Sequence, residues 1–134
     1  MESSTLRKIA QIGVGILIAG AGVAHFTHAE FFIQLVPDGL DAYRGTVNTA
    51  TAVLMIAMGV AFFVSQFRAV ACWSSIILLV ITLPSAIDQV IHPEAIQAVG
   101  LTTSIAALRA IAQLVAIVLI WWATQPDQPE QGKI

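Results

Sequence analysis

The chain has 134 residues, of which 57% are hydrophobic and only 10% are charged, and its formal net charge is −2. Together with a mean hydropathy of +0.85, this composition lies outside the range of soluble domains and indicates an integral membrane protein. The charge gives no reason to expect a nucleic-acid partner. The single cysteine, Cys72, excludes a disulfide or a CxxC redox pair within the chain.

Four segments are long and apolar enough to be transmembrane helices, for which about 20 residues are needed. In chain order they are residues 9–26, 46–67, 69–90 and 103–123. The first could instead be a secretory signal peptide, because Arg7 and Lys8 precede its apolar run, but we expect it to be retained. The sequence therefore predicts an all-α fold, a polytopic four-transmembrane-helix bundle formed by one domain over residues 1–124.

The segments between the helices differ in character. Residues 29–35 combine phenylalanine and leucine with Glu30 and Gln34, which predicts an amphipathic stretch lying in the lipid headgroup plane. Before the fourth span, Thr102, Thr103 and Ser104 are possible helix N-caps. The last residues, 125–134, are rich in Gln, Pro, Asp and Glu, and this composition predicts a short disordered tail.

Basic residues near the span ends predict the orientation, because lysine and arginine are retained on the cytoplasmic side. Four basic residues share one side of the membrane: Arg7, Lys8, Arg68 and Lys133. Only Arg44 lies in a loop on the other side. We therefore predict a multi-pass protein of the cell membrane with both termini in the cytoplasm.

Small residues at helical spacing predict where helices approach each other. In the first span, Gly15, Ala19 and Gly22 lie on one face, and such a stripe allows a second backbone to come close. The second span carries a similar row. Its members are Asn48, Ala52, Met55 and Gly59.

Arg109 lies inside the fourth span, roughly 9 Å from its start at 1.5 Å per residue. A guanidinium that is always charged costs several kcal/mol in hydrocarbon unless it faces the bundle interior and finds a partner. We expect Asp88 to be that partner, and a buried polar layer on the outer side of the membrane. The side chains that could complete it are Asn48, His25 and Gln113. This layer is either a binding site or an ion pair that only fixes the helix register.

Three histidines are weak candidates for metal ligands. His25 and His28 end one helix, and His92 ends another on the same side. Their residue type suits divalent metals, but no HExxH or comparable motif is present. We therefore predict no metal site.

Several motifs in sequence order resemble the DoxX-like family of small four-helix membrane proteins. They are Gly22-Val-Ala-His25-Phe26, then Phe31-Phe32 and Val36-Pro37, and finally Leu108-Arg109 with Gln113 and Trp121-Trp122. The resemblance spans nearly the whole chain. Two departures stand out. Asn48 occupies the last position of a Gly-x-x-Glu pattern, and the third-helix Pro-Ala-Asn pattern of the family reads Pro84, Ser85, Ala86 here, with Asp88 two residues later. We interpret Asp88 as a replacement for the lost carboxylate.

The resemblance implies a link to thiosulfate and quinone-coupled oxidation, to thiol-redox assemblies or to maturation of other membrane proteins. Three functions follow as hypotheses. The first is a non-catalytic accessory or assembly subunit of a membrane redox or respiratory system, with another membrane subunit or a second copy as partner besides lipids. The second is a quinone- or lipid-binding protein that uses the polar layer around Arg109, and the third is a small solute or proton transporter. No recognisable catalytic motif favours an enzyme.

Overall fold

The computed structural model describes residues 3–98 and 100–125, and within them every regular element is helical. The long helices are α1 (Ser3–Thr27), α3 (Arg44–Ala61), α4 (Arg68–Ile91) and α6 (Thr103–Thr124). The short elements are α2 (Ala29–Ile33), α5 (Glu94–Gln97) and 3₁₀ helices at Asp38–Tyr43 and Ser65–Phe67. The all-α prediction is confirmed. Apart from Gln125, the predicted disordered tail lies outside the described residues.

Three helices are long and apolar enough to cross a membrane. They are Ser4–Thr27, Ser65–Ile91 and Thr103–Thr124, which correspond to the first, third and fourth predicted spans and indicate a membrane protein. The second predicted span becomes α3, which has 18 residues and carries Arg44 and Asn48 in its first two turns. Its predicted end was too late, because α3 stops at Ala61 and the chain turns there. Arg68 Nε donates to the Phe62 carbonyl at 3.2 Å and holds this turn.

The four long helices form one packed group. The most extensive packing is between α1 and α3 and between α4 and α6, and α1 also contacts α6. Arg7 Nη1 donates to the Gln125 carbonyl and Gln11 Nε2 to the Ala123 carbonyl, both at 2.6 Å. The start of α1 therefore lies beside the end of α6. We call this end of the bundle, which also contains the 65–67 turn, the hairpin end, and the opposite end the loop end.

The small-residue stripe predicted on α1 packs directly on α3, as expected. A Cβ atom added at Gly59 would lie 2.6 Å from both the backbone N and the Cβ of Ala19 and 2.7 Å from the Gly15 carbonyl oxygen. One added at Gly22 would lie 2.8 Å from the carbonyl oxygen of Ala52. Real side chains do not tolerate such distances, so glycine is what allows the two backbones to approach.

The distribution of side-chain size is inverted relative to a soluble protein. Ala52 and Ala86 are completely buried, whereas Leu17 is 71% exposed and Ile81 is 68% exposed. Water would oppose such an arrangement, because large apolar side chains on the surface lose the hydrophobic contribution of burial. Lipid tails accept it, and small residues inside allow close helix packing.

Near the hairpin end the interior is apolar. Its buried cluster consists of Val14, Phe62, Ala71, Cys72 and Ile120. The buried Ser75 hydroxyl next to this cluster donates to the Ala71 carbonyl at 2.7 Å, so its polarity is satisfied within its own helix.

Candidate functional site

At the loop end, His25 and Asn48 hold α1 and α3 together by two hydrogen bonds. Asn48 Nδ2 donates to the His25 carbonyl oxygen at 3.0 Å, and Asn48 Oδ1 lies 2.8 Å from His25 Nδ1. Because the carbonyl can only accept, the Asn48 amide is oriented with its oxygen towards the ring, and Nδ1 must carry the proton. Nε2 is left as the ring nitrogen that can bind another molecule.

The segment after α1 folds back over this pair. The ring of Phe32, in α2, stacks on the His25 ring with a centroid distance of 3.9 Å and an interplanar angle of 20°. Phe31 meets Phe32 edge to face at 5.1 Å. The predicted amphipathic stretch is thus a single short helix anchored by aromatic contacts, and it positions the chain from Leu35 to Leu40 next to α4.

Arg109 does not pair with Asp88, so that part of the sequence prediction is wrong. Arg109 Nη1 donates to Gln89 Oε1 at 2.6 Å, and Gln89 is buried. The Asp88 carboxylate instead lies 2.8 Å from Nδ1 of His92, and both side chains are about two-thirds exposed. Successive residues on a helix point about 100° apart, which turns Gln89 inwards and Asp88 towards the surface.

Gln113, one turn deeper than Arg109 on α6, joins α6 to α4. Its Nε2 donates to Thr82 Oγ1 at 2.8 Å, and Thr82 Oγ1 in turn donates to the Leu78 carbonyl at 2.9 Å. Gln113 Oε1 is buried and has no donor among the described residues. The sequence predicted Gln113 as part of the layer, whereas its partner Thr82 and the Arg109 partner Gln89 were both missed.

A cavity of about 280 Å³ lies between α3 and α4 at the loop end. Its polar wall contains His25, Asn48 and Arg109, so three of the five predicted layer residues meet in one space. The other lining residues are Phe32, Leu35, Val36, Pro37, Leu40, Val47, Thr51, Leu78, Ile81, Thr82 and Ser85. Gln113 lies outside the lining, and Asp88 lines an adjoining groove. The cavity therefore has a polar wall formed by the long helices and an apolar wall formed largely by the folded-back segment.

Free hydrogen-bonding capacity is concentrated on Arg109. Among the described residues, its guanidinium makes one hydrogen bond, from Nη1. Its Nε and Nη2 atoms are not among the completely buried atoms that lack a hydrogen-bond partner. A guanidinium has five N–H donors, so several remain for a molecule in the cavity. His25 Nε2 adds a nitrogen that accepts when the ring is neutral and donates when it is charged.

The histidines do not form a metal centre in the part of the chain that the structure describes. His28 Nδ1 lies 2.8 Å from the Thr27 hydroxyl, His92 bonds Asp88, and His25 bonds Asn48. No group of three or more His, Cys, Asp or Glu side chains is arranged to hold a metal ion within the described ranges. Each histidine thus has a separate local partner.

The fold and the site define a class: a helical membrane protein with a polar cavity at one end of its bundle. The family model of the domain of unknown function DUF8561 matches residues 14–125, so the chain belongs to that family. The matched range includes every residue that lines the cavity. No curated protein and no solved structure matches the chain. The resemblance to the DoxX-like family stays a prediction.

Proposed function

We propose that this protein is a multi-pass protein of the cell membrane that binds an amphiphilic small molecule, a quinone or a lipid, in the cavity around Arg109. The observation that carries this proposal is the composition of the cavity walls. A guanidinium with unused donors faces an apolar wall, and ligand sites typically combine apolar lining with a few convergent polar groups. Such walls match a molecule that has a polar head and an apolar body.

The membrane placement that goes with this function has α3 as a fourth span. Its apolar remainder, after the first two turns, packs along α1 over the small-residue stripe, so α3 runs beside a helix that is itself long enough to cross. The basic residues Arg7 and Arg68 both belong to the hairpin end, which we place in the cytoplasm. The cavity then opens near the outer surface.

A second candidate, the accessory or assembly subunit, is favoured by the outward face of α3. Thr46, Thr49, Ala50, Val53 and Ala57 line a shallow groove there, together with Gly45 and Leu54. Hydroxyls and small side chains on a lipid-facing surface suit close contact with another transmembrane helix. In this alternative the occupant is a helix of another membrane subunit, in keeping with the DoxX-like resemblance.

Transport is the least supported hypothesis. A transporter needs a polar route across the membrane, whereas the described residues around Val14, Phe62 and Ile120 form an apolar cluster near the hairpin end. The polar cavity residues lie at one end only.

Native mass spectrometry of the protein, extracted from its own membranes in a mild detergent, tests both candidates. Ligand binding predicts a retained small molecule on the wild-type protein that is lost on Arg109→Leu and kept on Arg44→Leu. Arg44 is a suitable control because it lies at the same end but is bonded to Asp38 and Asp41. A stoichiometric foreign chain without any small molecule would favour the accessory subunit instead. A bare chain would remove both.

A further inference from the structure

The charge balance around the cavity is uneven. Three described carboxylates at the loop end are bonded to other groups: Asp38 and Asp41 contact Arg44, and Asp88 contacts His92. Glu30 and Glu94 are exposed, and neither forms an ion pair among the described residues. Arg109 therefore has no carboxylate within ion-pair distance in the part of the chain that the structure describes.

An arginine without a counter-charge is expensive inside a membrane protein, because the charge has left water and the surroundings have a low dielectric constant. Gln89 supplies one neutral acceptor at 2.6 Å, which satisfies one N–H group but does not neutralise the cation. The partly buried guanidinium faces the cavity, so the space that a counter-ion would occupy is the cavity itself.

The route into the cavity runs past the lipid-facing side of α4. Ile81 lines the cavity and is also 68% exposed. A more open groove of about 470 Å³ adjoins the cavity and shares five lining residues with it, Leu35, Val36, Pro37, Ile81 and Ser85. The remaining lining of this groove is mostly polar and includes Gln34, Asp38, Asp88 and Gln89. An acyl chain that left the cavity past Ile81 instead would remain next to the membrane while its head reached Arg109.

We propose that the ligand is an amphiphile with an oxyanion headgroup, a carboxylate or a phosphate on an acyl chain, and that this oxyanion is the counter-charge of Arg109. This inference rests on the proposed ligand-binding function and narrows it, because a neutral quinone would leave the cation uncompensated. Guanidinium and oxyanion form paired, charge-assisted hydrogen bonds, and Arg109 lines the cavity and has unused donors for them.

The test compares three headgroups on chains of the same length and adds one anion with a short chain. Protein in nanodiscs of zwitterionic lipid is titrated with hexadecanoate, hexadecyl phosphate and hexadecanol, and with butanoate as a free anion, and bound molecules are counted by native mass spectrometry. We expect at least one of the two long anions to bind at least about tenfold more tightly than the alcohol, as a charge-assisted hydrogen bond contributes. Whichever long anion binds more tightly identifies a fatty acid or a phosphate lipid as the source. Butanoate binding as tightly as hexadecanoate would contradict an amphiphile.

Variants separate the two levels of the proposal. Arg109→Gln keeps hydrogen bonding but removes the charge, and should lower anion affinity to that of the alcohol, whereas Arg109→Lys should keep most of the preference and Arg44→Gln all of it. Protection of Cys72 from a thiol reagent, which requires an intact interior, verifies that each variant is folded. Equal binding of alcohol and anions to the wild type would overturn the oxyanion inference and leave the proposed function standing. Absence of binding by all four compounds would overturn the oxyanion inference, and the proposed function would fall with it only if the protein from its own membranes also retained no small molecule.

Discussion

The two ends of this bundle are built on opposite principles. Near the hairpin end, small and apolar residues fill the interior, and Gly59 brings the backbones of α1 and α3 into direct contact. At the loop end, a cavity separates α3 from α4, and its walls combine the polar side chains of His25, Asn48 and Arg109 with apolar side chains. The first arrangement leaves no room for another molecule, and the second leaves both room and unused hydrogen-bond donors.

This difference separates a region specialised for stability from a region available for binding. Close packing gains many small dispersion contacts and no specificity for a ligand. A polar cavity gives up those contacts, and a partly satisfied buried cation costs further stability. Such a loss is a common mark of function, since sites that bind or react are often less well packed than the scaffold around them. We therefore expect substitutions at the two ends to have different kinds of effect.

The largest loss of stability is expected from Gly59→Ala, because the new Cβ would meet the Ala19 backbone at 2.6 Å. Overpacking of this kind costs about 1–3 kcal/mol. Gly20→Ala is a matched control, because nothing lies within 4 Å of a Cβ added there. When thermal unfolding is monitored by the labelling of Cys72, the midpoint temperature should be clearly lower for Gly59→Ala and unchanged for Gly20→Ala. Equal midpoints would show that α1 and α3 are farther apart than described.

Gln89→Leu should have the next largest effect, since it removes the neutral acceptor of the Arg109 cation. Hydrogen bonds to charged groups contribute about 1.5–3 kcal/mol, and we expect a loss of stability near the lower value because cavity water can replace part of the bond. Asp88→Asn, the neighbouring change, should stay within about 0.5 kcal/mol, because the Asp88–His92 pair is exposed. If Asp88→Asn lowered the midpoint of thermal unfolding more than Gln89→Leu, Asp88 would be the partner of Arg109 after all.

Asn48→Leu is expected to lower stability by about 1 kcal/mol, because hydrogen bonds between neutral groups of membrane helices contribute less than charged ones. The loss should also loosen the segment that His25 holds through Phe32. Faster amide hydrogen exchange over residues 29–36 than in the wild type would demonstrate this coupling. Thr49→Val is the control on the exposed side of the same helix, and it should leave exchange in this segment unchanged.

The sequence predicted the closely packed face of α1, because helical spacing alone places Gly15, Ala19 and Gly22 on one face, but it did not identify α3 as the helix that packs there. It also placed Arg109, Asn48 and His25 at the same end, since their depth follows from residue counting along helices of known rise. It failed for the partner of Arg109. Charge complementarity favoured Asp88, whereas the rotation of α4, which depends on packing along its whole length, turns Gln89 inwards.

The folded-back segment was equally out of reach of sequence reasoning. Residues 29–35 have an amphipathic pattern that fits a helix lying on the membrane surface. This pattern does not predict that Phe32 stacks on His25. That contact joins two elements through a tight turn at His28. Because the sequence does not reveal this contact, it could not predict the apolar wall of the cavity. It therefore placed Arg109 in a polar layer and not beside a binding cavity.

A structure of the protein in a nanodisc made from its own membrane lipids would test the central claim most directly. The account predicts an elongated density between α3 and α4, with its head within hydrogen-bond distance of Arg109 Nη2 or Nε and its tail leaving past Ile81. The contrary result is a collapsed space in which α3 packs on α4 and Arg109 reaches Asp88. That outcome would show that the polar residues fix the helices against each other and do not form a binding site.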